Sequence, residues 1–220
     1  LFFFDNDPDG LCSFLILQRF IGRGRGVSLR GHSDVSASFF KRVQEILKTI
    51  PKKISGITKI ETLVVDDGST DKTLIIARKY KVKHFVIHRQ NQGLAKSFAD
   101  GLDEALHLGA DIIVNTDGDN QYPQEDIPCL IKPIMDGQAD MVVADRQTDK
   151  IAHFSPSKKF LQKFGSYVVR IFSNVNVPDA VSGFRAYSRE AALHINVFTD
   201  YTYTIETLIQ AGKKKLQVVS

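Results

Sequence analysis

Two carboxylates stand two residues apart at Asp117-Gly118-Asp119, and two more stand side by side at Asp66-Asp67. An Asp-x-Asp pair can hold a hard divalent ion, Mg or Mn, with water and substrate phosphate completing the octahedron. Adjacent carboxylates repel unless a ligand, a cation or hydrogen bonds offset the repulsion. The residues that follow the pair, Gly68-Ser69-Thr70-Asp71, read as a helix start, with Ser69 or Thr70 capping and Asp71 favouring the positive helix end. That cap accounts for Ser69 to Asp71 but not for the two carboxylates before it. A helix beginning there would favour an anion. Further polar positions fall at Asn91 and at Asp145-Arg146.

Elements must bring these clusters together, and the chain has a strand–loop–helix rhythm that can do so. Short apolar runs predict strands near 1–4, 27–30, 60–65, 84–88, 111–115 and 141–144, with 218–220 reading as part of another. Helical spacing predicts helices near 11–20, 38–50, 71–80, 93–108, 125–135, 158–173, 189–194 and 202–211, and Pro51 stops the second of these. The polar clusters follow the strands at their carboxyl ends, the edge along which open α/β sheets bind ligands. Alternation of this kind predicts an α/β fold with a mainly parallel sheet covered by helices on both faces.

Composition limits the alternatives. The 220 residues are 43% hydrophobic and carry 29 Lys+Arg against 25 Asp+Glu, which excludes a disordered or low-complexity chain. The basic run Lys213-Lys214-Lys215 is too short to indicate nucleic acid. No apolar run approaches the roughly 18 residues that span a bilayer, and no signal peptide is expected, since Leu1–Phe4 runs straight into acidic Asp5-Asn6-Asp7. Cys12 and Cys129 are expected to be buried free thiols of a reducing compartment. His84 and His88 share a strand face at a spacing that could suit a metal, but with no further ligand evident they are read as packing or surface residues. Gly22 to Gly26 follows a helix and so fails as a dinucleotide loop. Phe160, Phe164, Tyr167 and Phe172, at near-helical spacing, are expected in the core.

Four segments in order carry a family resemblance: Val64-Val65-Asp66-Asp67-Gly68-Ser69-Thr70-Asp71, Asn91-Gln92-Gly93-Leu94-Ala95, Asp117-Gly118-Asp119-Asn120-Gln121-Tyr122-Pro123 and Ser182-Gly183-Phe184-Arg185. Over about 39–220 the chain resembles family 2 glycosyltransferases of the GT-A fold, within them the dolichyl- or polyprenyl-phosphate mannose synthase-like group. The resemblance implies a GT-A, Rossmann-like domain over 39–220, lacking its usual first-strand motif and truncated at the C-terminus. It implies an inverting, metal-dependent transfer from a GDP- or UDP-sugar to a polyprenyl (dolichyl) phosphate at a membrane surface. The expected location is cytoplasmic, peripheral at the membrane face. Carried over by position, Asp66, Asp67, Gly93 and Asp117 would bind the donor. Asp117, Asp119 and Gln121 would hold the metal, Arg146 would meet phosphate, Ser182, Gly183, Phe184 and Arg185 would form the loop near the acceptor, and Glu206 would lie in the acceptor-side helix. Asp117, Asp119, Arg146 and Arg185 are the expected catalytic residues, with Arg146 or Arg185 adding charge-assisted hydrogen bonds to phosphate.

The beginning departs from this pattern. A Pro-x-Tyr-Asn-Glu-like segment is missing before the helix at 38–50, where Val27 to Asp34 stands instead. Ahead of it, Asp5-Asn6-Asp7-Pro8-Asp9-Gly10 alternates three carboxylates; an EF-hand is excluded because its twelfth position is Ile16. Residues 1–45 resemble the first motif of DHH-type phosphoesterases, which implies Asp5, Asp7 and Asp9 as an alternative metal site. The later motifs of that family are absent. The expected organisation is a fragment of that type over 1–38, giving an extra N-terminal βα unit. A phosphoesterase fragment and a non-catalytic nucleotide-sugar-binding remnant are the competing functions.

Overall fold

The computed structural model describes residues 12–19, 44–69, 73–116, 122–145, 169–170, 173–199 and 202–220. In chain order these form β1 (Cys12–Arg19), a helical segment α1 (44–49), β2 (Ile57–Asp66), α2 (Thr73–Lys79), β3 (His84–Ile87) and α3 (Leu94–His107). There follow β4 (Ile112–Asn115), α4 (Ile127–Met135), β5 (Met141–Val143), β6 (Arg185–Ser188), α5 (Arg189–His194), α6 (Thr204–Lys213) and β7 (Val218–Val219).

Among the described residues, seven strands make one sheet in the order β3-β2-β1-β4-β6-β5-β7. β2 pairs with β3, and β5 with β7, in parallel. β1 runs against both β2 and β4, and β6 against both β4 and β5. Hence β2, β3, β4, β5 and β7 share one direction, and their carboxyl ends lie along one edge. β6 starts at that edge, with Arg185 opposite Asn115 and Val143. β1 also starts there, with Cys12 opposite Val65.

The pleat divides the core. Val64, Ile112, Val114, Val142 and Ala186 point to one face, with Ile46, Ile131 and Ile134 from the helices beside them. Their neighbours Leu63, Val65, Ile113, Met141, Val143 and Tyr187 point to the other, against Phe98, Leu102, Ala191 and Leu208. Successive strand residues alternate faces, so burial on both sides makes β4 read as the unbroken run Ile112-Ile113-Val114, as expected for a covered sheet.

Two expectations are corrected. The stretch read as a helix over 11–20 is strand β1 in mid-sheet. The position between β2 and β4 is therefore filled by Cys12–Arg19; residues 27–30, expected as a strand, lie outside the described residues. Cys129 is exposed, because the core face of α4 is carried by Ile127, Leu130, Ile131 and Ile134. Strand β6 was not foreseen, because Arg185-Ala186-Tyr187-Ser188 is not an apolar run. The expected run at 1–4 and most of the helix at 158–173 fall outside the described residues.

Candidate active site

The turn after β2 is built around its two carboxylates. Asp66 is 1% exposed and Asp67 2%, so each needs compensation inside the protein. Asp66 Oδ1 accepts the Ser69 N–H at 2.7 Å, closing a tight turn of the kind Asp favours. Asp67 reaches across to the loop after β3: Oδ1 accepts the Gln92 N–H at 2.8 Å and Oδ2 the Gly93 N–H at 2.9 Å. Hydrogen bonds are thus one answer to the repulsion within the pair.

Two glycines permit this contact. Gly68 has φ +85, and a Cβ there would lie 2.7 Å from Asn91 N and from the Gln90 carbonyl carbon. Gly93 has φ 86 and ψ 174 and immediately precedes α3. The positive end of α3 therefore faces Asp67, adding a favourable dipole term. The Asp67 carboxylate also meets His88, whose Nδ1 is 2.6 Å from Oδ1, while its Nε2 is 3.0 Å from Asp100 Oδ2. The hydrogen bond to Asp67 raises the His88 pKa above its usual value, against the opposing effect of burial. His88 was read from sequence as a packing or surface residue. Its position just beyond a strand end, on the same edge as the acidic pair, was the available signal.

The end of β4 is fastened just as closely. Asn115 is fully buried, and its Nδ2 donates to Gly183 O and, at 2.8 Å, to the Tyr203 hydroxyl. Gln124 Nε2 donates to Thr116 Oγ1 at 3.1 Å and to Tyr122 O at 2.9 Å. The Tyr122 hydroxyl accepts the Gly183 N–H at 3.1 Å, and its ring stacks on Phe184 with centroids 5.2 Å apart. The described residues on both sides of Asp117–Gln121 are therefore anchored to the 182–184 loop. Asp117, Asp119 and Gln121 themselves lie outside the described residues, as do Arg146, Asp5, Asp7 and Asp9.

Arg185 is used differently from the expected phosphate contact. It is 0% exposed, and its guanidinium donates to Ala180 O, Ser182 O, Thr204 O and Thr207 Oγ1 at 2.7–2.9 Å. It binds the 180–185 segment to α6 from within. Glu206 lies on α6 and accepts the Phe198 N–H (3.0 Å) and the Thr199 hydroxyl (2.9 Å). It borders a groove of about 640 Å³ with Phe198, Ile205, Ile209 and Lys214. Ser182 and Phe184 are buried, at 0% and 3% exposure.

The structure thus joins Asp66, Asp67 and Gly93 into one unit and Asn115, Tyr122 and the 182–185 loop into a second, both on the carboxyl edge of the sheet. Among the described residues no group of three or more His, Cys, Asp or Glu could hold a metal ion. Among the same residues no helix is long and apolar enough to cross a membrane.

The architecture is a GT-A fold. It matches glucosyl-3-phosphoglycerate synthase from Mycobacterium tuberculosis, solved with Mn2+, uridine diphosphate and phosphoglyceric acid. The TM-score is 0.62 at 21% identity, covering 81% of this chain and 62% of that one, so the likeness concerns the fold. This chain spans about two thirds of such structures or less. Residues 38–195 match Glycosyl transferase family 2, and the chain belongs to that family. Among its relatives is the UDP-N-acetylglucosamine–dolichyl-phosphate N-acetylglucosaminyltransferase of Methanococcus voltae, 28% identical, with 80% of this chain and 78% of that protein covered. Another is the undecaprenyl-phosphate mannosyltransferase of Micrococcus luteus, 26% identical over 72% of this chain and 67% of that protein. The dolichol-phosphate mannosyltransferase of Pyrococcus furiosus is 33% identical over 68% of this chain, which covers 43% of its length.

Proposed function

We propose that this chain transfers a sugar from a GDP- or UDP-sugar to a polyprenyl phosphate with inversion at the anomeric carbon, working peripherally at a membrane surface. The observation that carries this is the fastening of the motif segments to one sheet edge: Asp67 to Gln92 and Gly93, and Tyr122 to Gly183. The names of the relatives supply the lipid phosphate class.

In this proposal Asp66 and Asp67 bind the nucleoside. Asp67 has three donors on its carboxylate, and such a group offers about four lone-pair sites, so a nucleoside donor can still be accepted. Asp117, Asp119 and Gln121 form an all-oxygen donor set suited to Mg or Mn. When bound, that ion would stabilise the negative charge on the departing diphosphate. Arg146 contributes charge-assisted hydrogen bonds to phosphate. Arg185 shapes the acceptor loop from behind. An acceptor phosphate oxygen is already anionic, so its attack on the anomeric carbon needs no strong general base. The bond from that carbon to the diphosphate oxygen breaks, and the nucleoside diphosphate leaves with the electron pair.

The test pairs binding with transfer. A thermal shift by Mn–GDP or Mn–UDP, abolished by Asp119→Ala, is expected. Sugar transfer from GDP- or UDP-sugars to dolichyl or undecaprenyl phosphate is then followed with the anomeric configuration of the product. Retained configuration, a covalent sugar–enzyme adduct, or nucleotide binding without transfer to either lipid phosphate refutes the proposal.

A further inference from the structure

The side chain of His88 is only 6% exposed, yet both of its ring nitrogens meet carboxylates, Asp67 at 2.6 Å and Asp100 at 3.0 Å. An ionised carboxylate only accepts, and a neutral imidazole has a single N–H. The imidazolium alone can donate to both partners. Among the described residues, the charged groups that face the ring are Asp67, from the turn after β2, and Asp100, from α3. Lys96 lies one helical turn earlier and reaches the other oxygen of Asp100 at 2.5 Å. The strand side is fixed too, since the His88 N–H donates to Asp66 O at 2.8 Å. The ring therefore joins three elements: β2 through Asp67, β3 through its own backbone, and α3 through Asp100.

We propose that His88 is the positioning residue of the donor pocket: as an imidazolium clamped between Asp67 and Asp100, it locks the Asp67 carboxylate across the 66–69 and 90–93 turns, and the nucleotide binds to this protonated clamp. This rests on the assignment of Asp66 and Asp67 to the donor. Loss of the proton leaves a ring that can donate to Asp67 or to Asp100, but not to both. Asp67 and Asp100 then face each other across a neutral group, and the link between the turn and α3 loosens. The His88 pKa is raised, so the clamp is complete below the ordinary His value of about 6.5 and is lost as pH rises through the raised value. Nucleotide affinity should fall on the alkaline side.

The probes are Mg–UDP and Mg–GDP, titrated calorimetrically between pH 6 and 9 with wild type, His88→Gln and Asp100→Asn, alongside an NMR titration of the His88 ring. A charge-assisted hydrogen bond contributes about tenfold or more. Wild-type affinity should therefore drop about tenfold as the ring loses its proton. His88→Gln should bind about tenfold more weakly at pH 6 and should show only the nucleotide's own titration. Asp100→Asn keeps an acceptor for Nε2 but loses the charge, so it should bind more weakly than wild type at pH 6, and its affinity step and its ring titration should both move down towards about 6.5. A folding defect in His88→Gln would leave Asp100→Asn to decide. The proposal is overturned if wild type and His88→Gln share one pH profile, or if the ring titrates in Asp100→Asn as in wild type. Failure of both nucleotides to bind wild type at any pH would remove the donor assignment itself, and the clamp with it. Binding without an alkaline step removes the clamp alone.

Discussion

Arg185 separates two accounts of the acceptor loop, and Arg185→Met tests them. The substitution keeps most of the apolar stem and removes the guanidinium. Of the four acceptors it leaves, Thr204 O and Thr207 Oγ1 retain each other at 3.2 Å. Ala180 O and Ser182 O lose a charged donor at 2.7 Å each. A hydrogen bond to a charged group contributes about 1.5–3 kcal/mol, so the loss of these two gives roughly 4 kcal/mol. For a chain of this size 1 kcal/mol corresponds to about 2–4 °C, which puts the fall in Tm at about 8–16 °C. Urea unfolding followed by circular dichroism measures it directly. Arg185→Lys keeps the charge but loses the planar fork, and should fall between. The result that refutes the reasoning is an Arg185→Met protein within about 1 kcal/mol of wild type whose transfer activity has collapsed. That pattern would return Arg185 to the substrate phosphate.

Other perturbations probe the remaining joints. Gly68→Ala combines a positive φ with a Cβ 2.7 Å from the 90–91 backbone; it should cost more than the about 1 kcal/mol of an ordinary Gly change and weaken Mg–nucleotide binding, both readable by thermal shift with and without ligand. Tyr122→Phe removes the acceptor of the Gly183 N–H and should cost about 1–3 kcal/mol in unfolding free energy, with transfer reduced. Stability should decline as pH rises from about 6.5 through the raised pKa of His88, and chemical unfolding of His88→Gln should lack that decline. Cys129, exposed on α4, should react with a thiol reagent in the native state; protection until unfolding would contradict its placement.

The strand–helix alternation was legible from 57 to 144 because each strand there contains a short apolar run ended by polar residues. The same rule failed at 11–20. A continuous apolar stretch satisfies a buried helix and a central strand equally, and periodicity cannot choose between them. What decides is the pairing available: β1 bonds to β2 along its whole length and to β4 over Leu15–Leu17, which no local property of the segment encodes. Cys129 failed for a related reason. An apolar neighbourhood in sequence does not fix the face of the helix, and Ile127, Leu130, Ile131 and Ile134 take the inward stripe of α4.

At the site, residue type disclosed which side chains matter but not what they face. A conspicuous Arg beside Ser-Gly-Phe suggests a ligand contact. Yet a guanidinium has five donors, and the 180–184 segment leading into β6 and the start of α6 present several carbonyls within its reach. Burying Arg185 there holds the loop against α6. The acidic pair behaves in the same way. Asp67 faces the backbone of the 90–93 loop before any nucleotide arrives, and a buried His bears part of its charge. The turn that carries Asp66 and Asp67, assigned to the donor in the proposed function, must be organised in the free protein, because two unpaired charges at 1–2% exposure would otherwise neutralise or unfold the turn. The hydrogen bonds that keep this turn folded are therefore the same ones that aim it, and mutations at His88, Asp100 and Gly68 should change nucleotide affinity and stability together, whereas mutations in the Asp117–Gln121 segment should change affinity with little effect on this turn.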